Sequence, residues 1–284
     1  MLLVVDVGNT QTHFGLFPDG ETTVSEHWRF ATVRESTSDE LGSRLSNLLE
    51  LRGMAFRDID ESIVSSTVPQ LSEQWTLMAR RYLGHEMLVV GPAIKTGMPI
   101  RYDNPHEVGA DRLANAVAAY DKVHETCVIV DFGTAITYDI VSAAGEYLGG
   151  IITPGAEISI DALYDRAAKL PKVELAPPRS LIGKNTVDAI RSGIVYGFAG
   201  QVEGIVRRLR AELGPTTCVI ATGGLAGVLV PFIRETIDEV DDLLTLNGLR
   251  LIWEINRSRD PWKERPPGSG RPASAQPSPP GSGT

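Results

Sequence analysis

The segment Asp6-Val7-Gly8-Asn9-Thr10 puts a carboxylate at the end of an apolar run, followed by a glycine, an amide and a hydroxyl. Gly8 permits close approach and unusual dihedrals, so successive backbone N–H groups with Asn9 and Thr10 can line a phosphate-sized concavity. Asp6 can hold a hydrated metal beside that phosphate. Taken alone, the pattern also describes a plain hairpin turn. A second copy, Asp131-Phe132-Gly133-Thr134, changes the weighting, because two such turns facing one cleft can bracket a nucleotide's phosphates. A third glycine turn, Ala221-Thr222-Gly223-Gly224, allows backbone to approach a flat ligand such as a nucleobase. Asp111-Arg112 opens a helix and sets one acceptor and one bidentate donor at an amide-rich helix end.

These groups need a scaffold that delivers them to one place. Leu2 to Phe17 and Cys127 to Val141 share one pattern, a β-rich run into D-x-G and an alternating return, with Asp6 matching Asp131 and Gly8 matching Gly133. Each reads as an antiparallel hairpin. Between them the patterning predicts a helix over Ser38–Arg52, a strand over Ser62–Ser66, a helix from Pro69 to Tyr82, a strand over Glu86–Val90 and a helix over Ala110–Lys122. The second half repeats the alternation: a helix after Pro154, a long one over Val187–Leu213, a strand over Thr217–Ala221 and a last helix over Leu244–Asn256. This order predicts an α/β chain of two ribonuclease-H-like lobes with a cleft between them, residues 1–122 and 123–258. Residues 259–284, rich in Pro, Gly and Ser, read as a disordered tail.

Composition narrows the partners. Of 284 residues 22% are charged and 42% hydrophobic, as in ordinary globular proteins, which excludes collagen-like, coiled-coil and membrane-spanning classes. The formal charge of −9 repels nucleic acid and anionic membrane. Cys127 and Cys218 each open an apolar run and read as buried thiols without metal spacing. The start MLLVVDVGN lacks a basic n-region, so a cytoplasmic setting is expected. His13, His27, His85, His106 and His124 form no catalytic motif, and Gly183-Lys184-Asn185-Thr186 lacks the upstream glycine of a P-loop.

The order D-x-G-x-T, D-x-G-T, T-G-G resembles the nucleotide elements of the acetate and sugar kinase, hsc70 and actin superfamily. With DVGNT at the N-terminus, Tyr102 to Arg112 (YDNPHEVGADR), DFGTA in the second half and GKNT at 183–186, the chain closely resembles the type III pantothenate kinases from about Leu2 to Asn256. That resemblance implies ATP-dependent phosphorylation of pantothenate's primary hydroxyl, the first step toward coenzyme A. By motif position Asp6, Val7, Gly8, Asn9, Thr10, Gln11, Thr12 and His13 form the ATP-phosphate loop, with Thr134 as a second phosphate contact. Asp111 is the implied proton acceptor; Tyr102, Gly109, Ala110, Asp111, Arg112 and Thr186 are the implied pantothenate contacts. Asp131 is the implied ligand of a monovalent cation, K+ or NH4+, required beside Mg2+.

Charge gives an independent reason for cations: Asp6, Asp111 and Asp131 would converge on a polyanionic tail while the phosphate turns carry no Lys or Arg. Gly193, Gly197, Gly200 and Gly204 make a smooth stripe along the long helix, at a propensity cost of ~1 kcal/mol each against Ala. Close helix packing, within a lobe or across a two-fold axis, would offset it, and the resemblance favours a homodimer whose partner completes the pocket. Two rivals use the same scaffold: a non-catalytic regulator, and a superfamily enzyme acting on another small alcohol or on polyphosphate.

Overall fold

The computed structural model describes residues 1–91 and 94–257, so the tail expected over 259–284 lies outside the described residues. Strands β1 (Leu2–Val7) and β2 (Gln11–Phe17) form the first hairpin, and β3 (Glu26–Ala31), β4 (Glu61–Ser66) and β5 (Leu88–Val89) complete a sheet ordered β3-β2-β1-β4-β5. The second sheet contains β6 (Cys127–Phe132), β7 (Ala135–Val141), β8 (Tyr147–Pro154), β9 (Cys218–Thr222) and β10 (Glu239–Val240), ordered β10-β9-β6-β7-β8. The two orders are one topology read in opposite directions. In each sheet the first strand of the hairpin pairs antiparallel with the second and parallel with the fourth.

The helices are α1 (Ser38–Glu50), α2 (Pro69–Met78), α3 (Ala110–Val123), α4 (Ala156–Arg166), α5 (Thr186–Leu213), α6 (Ala226–Leu229) and α7 (Leu244–Arg257). Both β1 and β6 are apolar on both faces because helices cover both faces. Leu3, Val5 and Val7 enter an outer core with Leu41, Leu45, Leu71 and Trp75 of α1 and α2. Leu2 and Val4 enter a central core, which also takes Cys127 and Ile129 of β6 and the apolar faces of α3 and α7. Val128, Val130 and Phe132 face a third core closed by Val195, Phe198 and Val202 of α5.

The helices α3 and α7 thus lie between the sheets and tie the halves together. Helix α7 packs against α3 and on β1 and β4 of the first sheet, while α3 packs on β6 and β7 of the second. Close approach of α3 and α7 requires Gly248, where a Cβ would overlap the carbonyl of Ala114. The helix expected from Pro69 to Tyr82 is α-helical to Met78 and finishes in a wider π turn over Ala79–Leu83, ended by left-handed Gly84. No helix among the described residues is long and apolar enough to cross a membrane.

Candidate active site

The two acidic turns meet. Thr10 and Thr134, each at a hairpin tip, are in hydrogen-bond contact through their hydroxyls at 2.9 Å. Beneath them a cleft of about 280 Å³ is lined by Asp6, Gly8, Asn9, Thr10, Gln11 and His13 from the first turn and its flanks. Asp131 to Ala135 from the second turn and Thr222 to Leu225 from the glycine turn line it too. Asp111 and Arg112, at the start of α3, complete the constellation. In each turn the glycine N–H is already bonded, Gly8 to the oxygen of Gln11 at 3.0 Å and Gly133 to that of Ala135 at 3.1 Å.

Strand register fixes the carboxylates. The β1–β4 pairing sets Ser65 beside Asp6, and the Ser65 hydroxyl donates to Asp6 Oδ1 at 2.6 Å. The β6–β9 pairing sets Thr222 beside Asp131, and Gly223 follows with φ +95°; a Cβ there would overlap Asp131 Oδ1 and sit 2.6 Å from Phe132 N. On its other side Asp131 accepts from Asn115 Nδ2 at 3.1 Å. The fully buried Asn115 is held in that orientation by Thr245, whose hydroxyl donates to its Oδ1 at 2.7 Å. Asn115 lies one helical turn beyond Asp111, on the same face of α3.

In this poorly solvated cleft burial raises all three carboxylates, and the charge of Asp111 adds to the rise at the other two. Burial, then the charge of Asp111, pushes Asp6 up to about 7 against the Ser65 hydrogen bond. Burial, then Asp111 and Asp139, pushes Asp131 up to about 7. Asp111 is also raised by burial, partly offset by the Arg112 N–H that donates to its Oδ1 at 2.8 Å. A carboxylate left at its free-solution pKa would be a weaker base than the one found here. His13 is driven down to about 3 by burial, with Arg29 and His27 adding to the effect, so its ring is neutral. Among the described residues no three His, Cys, Asp or Glu side chains form a metal-binding group.

The family model for type III pantothenate kinase matches residues 2–208. A type III pantothenate kinase from Moorella thermoacetica is 51% identical over 256 residues, which is 90% of this chain and 100% of that protein. The chain belongs to the type III pantothenate kinase family. Another relative of that name, from Halalkalibacterium halodurans, is 46% identical over the same share of both chains. Among solved structures, a Sinorhizobium meliloti protein provisionally described as a 2-dehydro-3-deoxygalactonokinase superposes with TM-score 0.56 at 13% identity, covering 92% of this chain and 97% of its own. The ethanolamine utilization protein EutJ from Carboxydothermus hydrogenoformans gives 0.53 at 13%, covering 88% and 89%. These distant likenesses speak for the fold alone, two α/β lobes.

For this family member the predicted site residues divide into those at the cleft and those away from it. Asp6, Gly8, Asn9, Thr10, Gln11, His13, Asp111, Arg112, Asp131 and Thr134 line it. Val7 instead enters the outer core, and the Thr12 hydroxyl bonds that of Thr32 at 3.0 Å, because alternate residues of a strand face opposite sides. Tyr102, Gly109 and Ala110 are not in the lining; the Tyr102 ring lies 6.4 Å from that of Tyr147. Thr186 opens α5 and lines a separate hollow with Leu163, Lys184 and Ile190.

Residues that the motif reading missed support those it named. Asp139 is fully buried, accepts from Arg112 Nε at 2.8 Å and from the Tyr147 hydroxyl at 2.7 Å, and forms an ion pair with Arg112 Nη2 at 2.7 Å. Ser65, Asn115 and Thr245 orient the other carboxylates, and Arg29, Glu157 and Asp242 join the lining. Spacing could have found Asn115, four residues after Asp111 in an alanine-rich helix.

Proposed function

We propose that this cleft moves the γ-phosphoryl group of ATP to the primary hydroxyl of pantothenate, giving 4'-phosphopantothenate in the first step of coenzyme A biosynthesis. The observation that carries the reading is the convergence of both acidic turns and Asp111 on one cavity. The turns receive the triphosphate, with Thr134 as a contact from the second. Asp111 holds the hydroxyl in line and takes its proton late in a loose transition state, a role for which a raised pKa is suited. Arg112, already oriented by Asp139, receives the pantothenate carboxylate in its planar fork. The four lining residues Asp6, Asp111, Arg112 and Asp131 together favour an enzyme over a non-catalytic regulator.

Cations fit this site. Asp6 and Asp131 are both pushed up to about 7, first by burial and then by the charge of Asp111, so a cation beside either would favour its ionised form. Mg2+ needs only one or two carboxylates beside phosphate oxygens and waters, and Asp6, in the lining next to the first turn, would be that carboxylate. Asp131 would hold the monovalent cation, K+ or NH4+. Held by Asp6 and Asp131, such cations would supply the positive charge that the phosphate oxygens need.

The molecule works as a homodimer in this reading. Among the described residues a Cβ added at Gly193, Gly197 or Gly200 would meet nothing within 4 Å, while one at Gly204 would meet Arg208, so the first three glycines are open rather than packed within their lobe. Exposed Ile152, Ile158, Leu163, Tyr164, Ile182 and Tyr196 belong to the same half. Thr186 has no place in the first cleft of its own chain, and a partner copy seated on α5 would bring it to pantothenate. A cytoplasmic location goes with such a metabolic kinase. ADP release should depend on pantothenate and be depressed when Na+ replaces K+; release without pantothenate, or on another acceptor in preference, would refute the reading.

A further inference from the structure

The phosphate turns carry no basic residue, yet the folded cleft has one from a strand outside them. Its lining includes five carboxylates, Asp6, Asp111, Asp131, Glu157 and Asp242, against two guanidiniums, Arg29 and Arg112. Arg112 is committed to Asp139. Arg29 has a different situation: its Nη2 donates to the main-chain oxygen of Asp242 at 3.2 Å, and no ion pair engages it among the described residues. Among the described residues no other protein group bonds its fork, and the exposed side chain leaves those donors to solvent.

The position of Arg29 follows from strand alternation. Trp28 and Phe30 of β3 turn inward and meet Phe14, with ring centroids 5.4 and 5.5 Å apart, so Arg29 between them projects from the opposite face. There it stands opposite His13 in the β2–β3 register, at the side of the first turn. Its charge reaches across the cleft, opposing the rise at both Asp6 and Asp131 and helping to depress His13. A guanidinium held at a cleft of net negative charge, without a carboxylate of its own, has the chemistry of a phosphate receptor.

We propose that Arg29 grips the β- and γ-phosphates of the bound nucleotide and stabilises the charge that develops between them. The inference rests on the phosphotransferase reading above. As the bond from the γ-phosphorus to the bridging oxygen breaks, its electron pair stays on ADP. The new bond forms to the pantothenate hydroxyl oxygen, whose proton passes to Asp111. Arg29 donates to the oxygens that gain charge, and the Asp242 carbonyl keeps its fork aimed.

The test compares Arg29→Gln and Arg29→Lys with the wild-type full chain. Arg29→Gln should lower kcat on the order of 10²-fold, as loss of a transition-state donor does, and weaken MgATP binding in a calorimetric titration. The KM for pantothenate should stay within about threefold, and Arg29→Lys should recover part of kcat. Wild-type kcat and MgATP affinity in Arg29→Gln would overturn the proposal. So would a kcat loss accompanied by an equal rise in pantothenate KM and a lowered Tm, which marks a structural role. If the wild type itself releases no ADP with pantothenate, the underlying reading fails, and the MgATP titration still decides whether Arg29 meets the nucleotide.

Discussion

Replacing Asp139 by Asn separates what holds the fold from what reads the substrate. Asp139 has no exposed surface and takes donors from Arg112, Tyr147 and Thr137, the last at 3.1 Å. Burial raises its pKa while the Arg112 charge and these donors oppose that rise, as expected for a carboxylate that must be paired to stay ionised. Asn preserves the volume but leaves the Arg112 guanidinium, itself 10% exposed, without a counter-charge. Breaking one partner of a buried pair costs roughly 3–5 kcal/mol. At roughly 2–4 °C per kcal/mol for a chain of this size, Tm should fall by roughly 6–20 °C in differential scanning fluorimetry. The freed guanidinium should also bind pantothenate less well, raising its KM while the KM for ATP changes little. Coupling in Arg112→Met removes the stranded charge, so the double variant should regain much of the Tm and none of the pantothenate affinity. A Tm within about 2 °C of wild type, with unchanged pantothenate KM, would refute the assignment of Asp139 as the holder of Arg112. Equal KM changes for pantothenate and its alcohol analogue, which lacks the carboxylate, would show that Arg112 does not read that group.

Two further outcomes follow from the site and the surface. Because Asp131 titrates near 7 when folded and near 3.8 when unfolded, the folded state holds the extra proton between those values, so this group's contribution to stability declines as pH rises through that window. In metal-free buffer the Tm of wild type minus that of Asp131→Asn should therefore drop between pH 5 and 7, by about 2 kcal/mol expressed as free energy, and Mg2+ with K+ should flatten the trend; a difference that grows with pH would contradict the shift. The subtraction removes the opposing contribution of His13, whose depressed pKa makes stability rise with pH up to 6.5. On the surface, Gly197→Glu meets open space within its own chain, so the monomer should fold with near-normal Tm, while light scattering after gel filtration should show dissociation and turnover should fall; a stable, active dimer would remove the stripe from the interface.

The hairpin echo was legible because two strands buried on both faces must be near-continuously apolar, and the Asp that ends each run stands out against them. Topology followed from it: the second sheet repeats the first strand for strand. The short edge strands β5 and β10 were harder to read, since two residues pairing on one side leave little pattern. In the site, Asp6 and Asp131 stand out at the ends of their apolar runs, while Asp111 at its helix end was singled out only through the family resemblance. Ser65 could not, because its role depends on which strand pairs parallel to β1 and in what register. Asp139 was hidden in the run TYDIV, where nothing local says that Arg112, 27 positions earlier, will supply its counter-charge. Arg29 was invisible for the same reason: β3 delivers it to the cleft only through sheet pairing. The glycine stripe was legible in the sequence, and only the fold shows that at Gly193, Gly197 and Gly200 no described residue comes within 4 Å of where a Cβ would sit.

The most direct test of the central claim, that Asp111 receives the hydroxyl proton in a cleft where both acidic turns hold the nucleotide, is pantothenate-dependent ADP release by Asp111→Asn beside wild type, with MgATP affinity measured on the same samples. ATP binding should stay close to wild type and turnover should fall on the order of 10²-fold or more. Near-normal turnover in Asp111→Asn would contradict it.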